Sequence, residues 1–316
     1  MTKKKFAGAI GLMMAVGLFA FTQSENTVQA SVSSESVDVS SESSSSSSSA
    51  VSDTSAASDT ETEGRKKVDI KATGDVLIDA DGFYAEITNK TTDEFGYLWT
   101  IHCENNTGNT VFFGMENVSV NGVMAVPLFG TEVESGSSAE SDATWHMDLS
   151  EFGIEKPVII EGTIVIFDSK TYSLIKSEDF VVCPEGEDAA YYEVREELPE
   201  DKEIIKNDYV NFIYSSFRTD EYDNIVMDIY LNNKSDKDII VSIDGCFMND
   251  AEADPFWAAF LPSEKSVYTG IYWPIADLQA VGIDSLEKIS KLVAEISVYD
   301  QESYETYSND TIILNF

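Results

Sequence analysis

The chain contains an internal repeat at an interval of 128 residues. The segment Tyr97–Asn106 recurs as Ile225–Lys234. An interval of 127 would align the two Asn-Asn pairs but would place Ile101 opposite Asp228. An interval of 128 instead keeps alternate apolar positions together, as a strand with one buried face requires. The apolar pairs aligned in this way are Trp99 with Met227, Ile101 with Ile229, and Cys103 with Leu231.

The repeat continues along the chain and indicates a duplicated domain. Its order and chemistry persist over more than 90 residues, whereas solenoid repeats are only about 20–50 residues long. Downstream, Asp148–Ile154 matches Asp277–Ile283, and the strand end Ile166–Asp168 matches Val298–Asp300. We therefore predict two domains, at residues 65–184 and 204–316, joined by an acidic linker at residues 185–203.

Each copy consists of short apolar runs separated by turn residues such as Asn121 and Gly122. Strands at this spacing are typical of an antiparallel sandwich. Alternating β and α units, which a doubly wound sheet needs, do not occur in the pattern. The sequence predicts an all-β fold with two tandem antiparallel β-sandwiches.

The N-terminus has the pattern of an export signal. Three lysines, Lys3–Lys5, precede the apolar run Phe6–Phe21, and a small-residue cleavage site ends at Ala30. We predict a signal peptide at residues 1–30, although an uncleaved anchor stays open. Residues 31–64, with a serine run at Ser43–Ser49, are predicted to be a disordered Ser-rich linker. The expected location is secreted or at the extracellular surface, with no membrane span in the mature chain.

Several local patterns carry a resemblance to a known group of domains. These are the strand end and turn at Glu104–Thr110, the strand end at Asn117–Gly122, the turn at Leu149–Ile154 and the strand end at Ile166–Asp168. The chain resembles the tandem immunoglobulin-like β-sandwich domains of secreted Gram-positive bacterial proteins, including the FxLYD type and related families of unknown function. The resemblance implies structural motifs and no catalytic residues.

The charge of the chain excludes one class of partner. It has 57 acidic and 20 basic residues, a formal net charge of −37. Nucleic acid is held by clustered Lys and Arg, so we expect no nucleic-acid partner. No GxSxG, HExxH or glycine-rich phosphate motif is present. We therefore expect no enzymatic activity and no cofactor.

The cysteines and histidines offer few chemical sites. Cys103 and Cys183 could form a disulfide in an oxidising setting, but Cys103 aligns with Leu231, which favours separate thiols. His102 and His146 could bind a metal with Glu104 or Asp148, yet strand parity favours the outer, wetter face for both. We nominate no metal site.

Asp79–Gly82 begins like a calcium loop but lacks the later oxygen ligands. We interpret it as a turn between two strands.

The second copy has an aromatic-rich segment between Pro255 and Pro274. Exposed aromatic rings stack on sugars or anchor protein partners, whereas buried rings would fill the second sandwich, and the sequence leaves both interpretations open. The candidate ligand-binding residues, drawn from a set that also includes Phe256 and Phe260, are Trp257, Tyr268, Tyr272 and Trp273.

Together these patterns favour a non-enzymatic interaction module that binds an extracellular protein or glycan. A structural spacer without a specific ligand is the alternative. A carboxylate-based hydrolase is the third hypothesis, since any two of the many carboxylates could stand at a hydrolytic distance.

Overall fold

Antiparallel strands make up most of the residues that the structure describes, as the sequence predicts. The computed structural model describes residues 64–93, 96–145, 149–199 and 201–316. Within these ranges the regular structure is β-strand apart from one short α-helix and a few 3-10 turns. The all-β prediction is therefore confirmed. The predicted signal peptide and nearly all of the Ser-rich linker lie outside the described residues, and so does His146. Among the described helices, none has the length and apolar character needed to cross a bilayer.

The two copies of the repeat have the same order of elements. The first copy and the segment after it contain β1 Arg65–Lys67, β2 Val76–Ala80, β3 Phe83–Asp93, β4 Gly96–Asn105, β5 Val111–Val120, β6 Val123–Met124, β7 Gly130–Val133, β8 Ser137–Trp145, a 3-10 turn at Leu149–Phe152, β9 Ile160–Asp168, β10 Leu174–Val182, a 3-10 turn at Glu187–Ala189 and β11 Tyr191–Glu193. The second copy contains β12 Lys202–Lys206, β13 Val210–Thr219, β14 Ile225–Asn233, β15 Ile239–Met248, β16 Ala251–Glu252, β17 Ala258–Leu261, β18 Ser266–Trp273, α1 Ile275–Ala280, a 3-10 turn at Leu286–Lys288, β19 Lys291–Asp300 and β20 Thr306–Asn315.

Each copy folds into two sheets that enclose one core. In the first sandwich, made of β2–β10, the sheet β2-β3-β4-β8 covers the sheet β10-β9-β5, to which β6 and β7 are added. In the second sandwich, made of β12–β20, the sheet β12-β13-β14-β18 covers β20-β19-β15, to which β16 and β17 are added. Strands β6 and β18 meet in a short parallel pair at Val123 and Ser266, which joins one sheet of each sandwich into a single nine-stranded sheet.

Strand parity places the repeated apolar residues inside, as the 128-residue alignment predicts. Trp99, Ile101 and Cys103 are fully buried in the first core, and Met227 and Leu231 are fully buried in the second. Burying such side chains contributes about 1.5–3 kcal/mol each.

Buried asparagines hold the same loops in both copies. Asn105 donates from Nδ2 to the carbonyl of Val133 at 3.0 Å, and Asn233 donates to Leu261 at 3.0 Å. Each side-chain oxygen accepts the backbone N–H two residues on, from Thr107 and Ser235 respectively. A buried amide with all its bonds satisfied specifies one loop geometry, so the repeat extends to the hydrogen bonds.

Part of the segment predicted to be an acidic linker, residues 185–203, has regular structure, and Ala190, Tyr191 and Tyr192 within it pack against the first sandwich. Strand β11 pairs with β1, and Ala190 is buried with Val158 and Ile159 in a third small core that also receives Val181 and Tyr192. High charge does not prevent a segment from packing when its few apolar side chains are placed on one side. The domain boundaries themselves stay a prediction.

Candidate functional site

The four aromatic candidates do not share one exposed patch. Trp273 is 2% exposed and lies in the second core. Its indole N–H donates to the carbonyl of Ala253 at 2.7 Å, and Trp145 donates in the same way to Ala125 at 2.6 Å. Trp145 and Ala125 stand 128 residues before Trp273 and Ala253. Trp273 is thus a repeated core residue, which corrects its place among the ligand candidates.

Trp257 also packs against the core of the second sandwich. Its side chain is partly buried against the second core, with the ring 6.5 Å from that of Phe212. Its carbonyl accepts the N–H of Ile243 at 3.1 Å. Trp257 therefore contributes mainly to the sandwich and not to its outer surface.

Tyr268 lies at the junction of the two sandwiches. Its ring stacks on Phe152 of the first sandwich with centroids 5.1 Å apart and contacts Tyr230 at 4.9 Å. Burial raises the pKa of Tyr268 to about 12, because the charged phenolate would lose its hydration. The residue stabilises the contact between the sandwiches.

Tyr272 is the candidate that stays open, with 49% of its surface exposed. Its ring lies over Gly270, where an added Cβ would stand 3.1 Å from the ring and 2.8 Å from Val226. A glycine at this position lets the aromatic ring lie flat on the strand. Tyr272 is consequently presented to solvent in a defined orientation.

Phe256, which belongs to the same segment, is the most exposed large apolar residue described, at 79%. Its φ is 49°, an uncommon value for a bulky side chain. The side chain of Asp254 holds this conformation by accepting the N–H of Phe256 at 2.9 Å. In the first copy the equivalent Leu128 is hydrogen-bonded, backbone to backbone, with Thr144. Within the described residues the second copy has no such backbone bond between Phe256 and Tyr272, while the side chain is exposed in both copies, 70% for Leu128 and 79% for Phe256.

A cleft of about 390 Å³ separates the two sandwiches near Gly64. Arg65 and Arg195 line it beside several glutamates and the ring of Tyr268. Arg195 is not free to bind a ligand, because it makes a bidentate pair with Asp201, with Nη2 2.7 Å from Oδ1, and its guanidinium lies 5.3 Å from the centroid of the Tyr230 ring. The hydrogen bonds from Arg195 lower the pKa of Asp201.

A largely buried polar cluster of Lys265, Glu161 and Tyr192 also lies between the two sandwiches. Lys265 is only 9% exposed, and its Nζ donates to Glu161 and to the hydroxyl of Tyr192. Tyr192 in turn donates to Glu161 at 3.0 Å. Burial lowers the pKa of Lys265 and raises that of Tyr192. Gly122 allows this approach, since a Cβ there would stand 2.8 Å from the ring of Tyr192.

The remaining sequence candidates occupy ordinary structural positions. The three cysteines are free, so Cys103 and Cys183 form no disulfide, and burial raises the pKa of Cys103 to about 12. His102 lies on the outer side of β4 beside Glu104, with Nε2 3.1 Å from Oε1. Asp81 and Gly82 form the turn between β2 and β3, as predicted. In the described ranges, no three His, Cys, Asp or Glu residues are placed to hold a metal ion.

Sequence reasoning missed the junction. Lys265 and Glu161 are 104 positions apart, and an isolated lysine in an acidic chain carries no pattern that singles it out. For Trp273 a signal was present, because the same 128-residue interval leads back to Trp145.

Comparisons with known proteins add little to this geometry. No protein-family model matches the chain, and no curated protein matches its sequence. Among solved structures the chain is similar to the crystal structure of the YadV chaperone, with 7% sequence identity, 73% of this chain and 100% of that chain covered, and a TM-score of 0.23. At this TM-score the likeness carries no argument about function, and the assignment to an all-β class rests on the strands described above.

Proposed function

We propose that the protein is a secreted or surface-held, non-enzymatic interaction module that binds an extracellular protein or glycan. The observation that carries the proposal is Phe256, a ring that is 79% exposed on a left-handed backbone. Strained backbone persists where the surrounding structure holds it, and such positions cluster at binding sites. Tyr272, half exposed, corresponds to the hydrogen-bonded partner of Leu128 in the first copy and so belongs to the same edge.

The rings of Phe256 and Tyr272 can stack against a flat surface of a ligand. Aromatic rings contribute large contact areas at low cost in side-chain entropy, and both sugars and apolar protein surfaces stack on them. The first copy supports the assignment by contrast, since Leu128 and Thr144 there are joined by two backbone hydrogen bonds of 2.9 and 3.1 Å.

We also propose that the two sandwiches belong with the immunoglobulin-like domains of secreted Gram-positive proteins, of the FxLYD type or a related family. The matching strand order of the two copies supports this placement. The repeated loop asparagines Asn105 and Asn233 support it as well.

Binding is tested with the full chain on an array of glycans and extracellular proteins. We expect a specific signal that the variant Phe256→Ala/Tyr272→Ala loses. The matched control is Leu128→Ala, which removes an exposed apolar side chain from the equivalent position of the first sandwich and should leave the signal intact. Equal loss in the control, or a signal unaffected by the double variant, would contradict the assignment of this edge.

The alternative function, a structural spacer, is favoured by the buried junction of Lys265, Glu161 and Tyr192. This contact holds the sandwiches at a set distance and angle, which a spacer needs and a flexible tandem array lacks. Two results together would support the spacer instead. The chain would bind nothing on the array, and the distribution of distances between spin labels on the two sandwiches would be narrow.

A further inference from the structure

One face of the second sandwich carries a row of exposed apolar side chains. Phe247, Val293 and Ile313 stand side by side on β15, β19 and β20, since Phe247 pairs with Val293 and Val293 pairs with Ile313. Phe247 is 46% exposed and Ile313 is 59% exposed. Their neighbours along each strand point into the core, so these three side chains form the outer surface of the sheet. We call them the distal row.

The first sandwich has the same row, but there it is covered. The equivalent residues are Ser119, Glu161 and Val181, which are paired in the same register. Tyr192 of β11 lies across them, donating to Glu161 and packing in the small core with Val181. Lys265 of the second sandwich completes the cover. This face of the fold is therefore a docking surface within the chain itself.

The turn next to the distal row repeats the docking geometry of the first sandwich. Asn121 and Asn249 both have φ of 49°, and the residues after them also have positive φ. The carbonyl of Asn121 accepts the N–H of Glu193 at 2.8 Å, and that of Gly122 accepts the N–H of Ser266 at 2.9 Å. Across the described part of the chain, no backbone N–H is bonded to the carbonyls of Asn249 and Asp250. The second turn thus presents two open acceptors.

The charges around the distal row indicate a cationic partner. Glu252 pairs with Phe247, and Glu295 follows Val293 on the same side of β19; both are exposed. At the equivalent places the first sandwich has Met124 and Thr163. Asp250 makes a 3.5 Å ion pair with Lys291. Among the residues that the structure describes, no Lys, Arg or His lies within ion-pair distance of Glu252 or Glu295.

We infer that the distal row binds an extended segment of a partner protein that carries apolar residues at alternate positions and Lys or Arg at its ends. Its apolar side chains pack on Phe247, Val293 and Ile313. Its backbone N–H groups bond to the carbonyls of Asn249 and Asp250, and its cationic side chains pair with Glu252 and Glu295. This is recognition of an extended strand by backbone bonds together with alternate side chains, and on the first sandwich β11 makes one such bond, from the N–H of Glu193 to the carbonyl of Asn121.

A second copy of the chain fits this surface poorly. The first sandwich would have to dock through the start of β8, where Ser137 and Glu140 replace Lys265 and Tyr268. Glu140 would then approach a face that is already flanked by carboxylates, which is unfavourable. The edge with Phe256 and Tyr272 is a separate surface, so the two proposals fail independently.

The test uses the full chain and a fluorescent nine-residue peptide with Val at alternate positions, Ser between them and Lys at both ends, measured by anisotropy in about 0.15 M salt. We expect binding that weakens by about tenfold or more in Phe247→Ser/Ile313→Ser. Glu252→Gln/Glu295→Gln should weaken it several-fold and reduce its salt dependence. A Val and Glu peptide should not bind.

Two controls separate this site from general attraction to an acidic protein. Leu174→Ser/Ile175→Ser removes two exposed apolar residues from the first sandwich and should leave the affinity unchanged. The distal variants should melt within about 2 °C of the parent chain, because exposed positions contribute little to stability. Equal binding by the distal-row variant and the parent would overturn the proposal. Concentration-dependent dimerisation that Phe247→Ser abolishes would also overturn it, in favour of a second copy.

Discussion

The two sandwiches share one frame and differ in what covers it. The outer sheet face of the first sandwich lies under β11, Val68, Ile70 and Lys265, while the same face of the second is bare at Phe247 and Ile313. Conversely, the backbone of Leu128 is hydrogen-bonded to that of Thr144 in the first sandwich, whereas the equivalent Phe256 of the second has a left-handed backbone. Duplication therefore preserved the core and loop contacts, and the surfaces diverged according to position in the chain.

The largest expected effect concerns the shared core. Trp145→Ala and Trp273→Ala should each lower the free energy of unfolding by about 3–5 kcal/mol, because each removes a buried ring and its hydrogen bond. Denaturant unfolding followed by fluorescence measures both. Tyr272→Ala is the matched control and should change stability by less than about 0.5 kcal/mol. A cost below about 1 kcal/mol for Trp273→Ala would show that the two tryptophans are not equivalent.

The second-largest expected effect on stability concerns the face of the first sandwich that β11 and Lys265 cover. Lys265→Met should lower the free energy of unfolding by roughly 2–3 kcal/mol, because Glu161 is then left largely buried without its cation. We expect calorimetry to show the two sandwiches melting in separate transitions. Arg218→Ala, which breaks an exposed ion pair with Asp228, should cost under about 1 kcal/mol. A single transition at an unchanged temperature for Lys265→Met would mean that the Lys265 contact does not contribute to the coupling of the sandwiches.

The smallest effect concerns two equivalent hairpin turns. Asp168 accepts the N–H of Thr171, and Asp300 accepts that of Ser303 together with the hydroxyl of Tyr307. Hydrogen bonds to the carboxylate lower the pKa of both, and more strongly for Asp300. The folded-state pKa lies below the unfolded value, so this stabilisation is complete above about pH 4 and is lost as the pH falls through the folded pKa.

Carboxyl NMR titration tests the difference between these turns. Asp300 should titrate at lower pH than Asp168, and Tyr307→Phe should raise the pKa of Asp300 towards that of Asp168. If Tyr307→Phe leaves the Asp300 titration unmoved, the hydroxyl is not the cause of the difference.

Sequence periodicity predicted the interior well and the contacts between distant segments poorly. Alternation around Trp99 and Ile101 was enough to place the strands and the repeat, because burial on one face imposes period two. The ordering of residues 185–203 was not predictable from their acidity, since it depends on Ala190 and Tyr192 meeting a face formed by β9 and β10. The exposure of Phe256 was equally hidden, because it depends on a local backbone conformation held by Asp254.

The pairing of β1 with β11 has a mechanical consequence. The carbonyl of Gly64 accepts the N–H of Val194, and Arg65 lies 3.9 Å from Glu193, beside the cleft between the sandwiches. The described chain therefore begins in the three-residue ribbon of β1 and β11. A pull applied at Gly64 would load the hydrogen bonds of this ribbon before it reached the core of either sandwich.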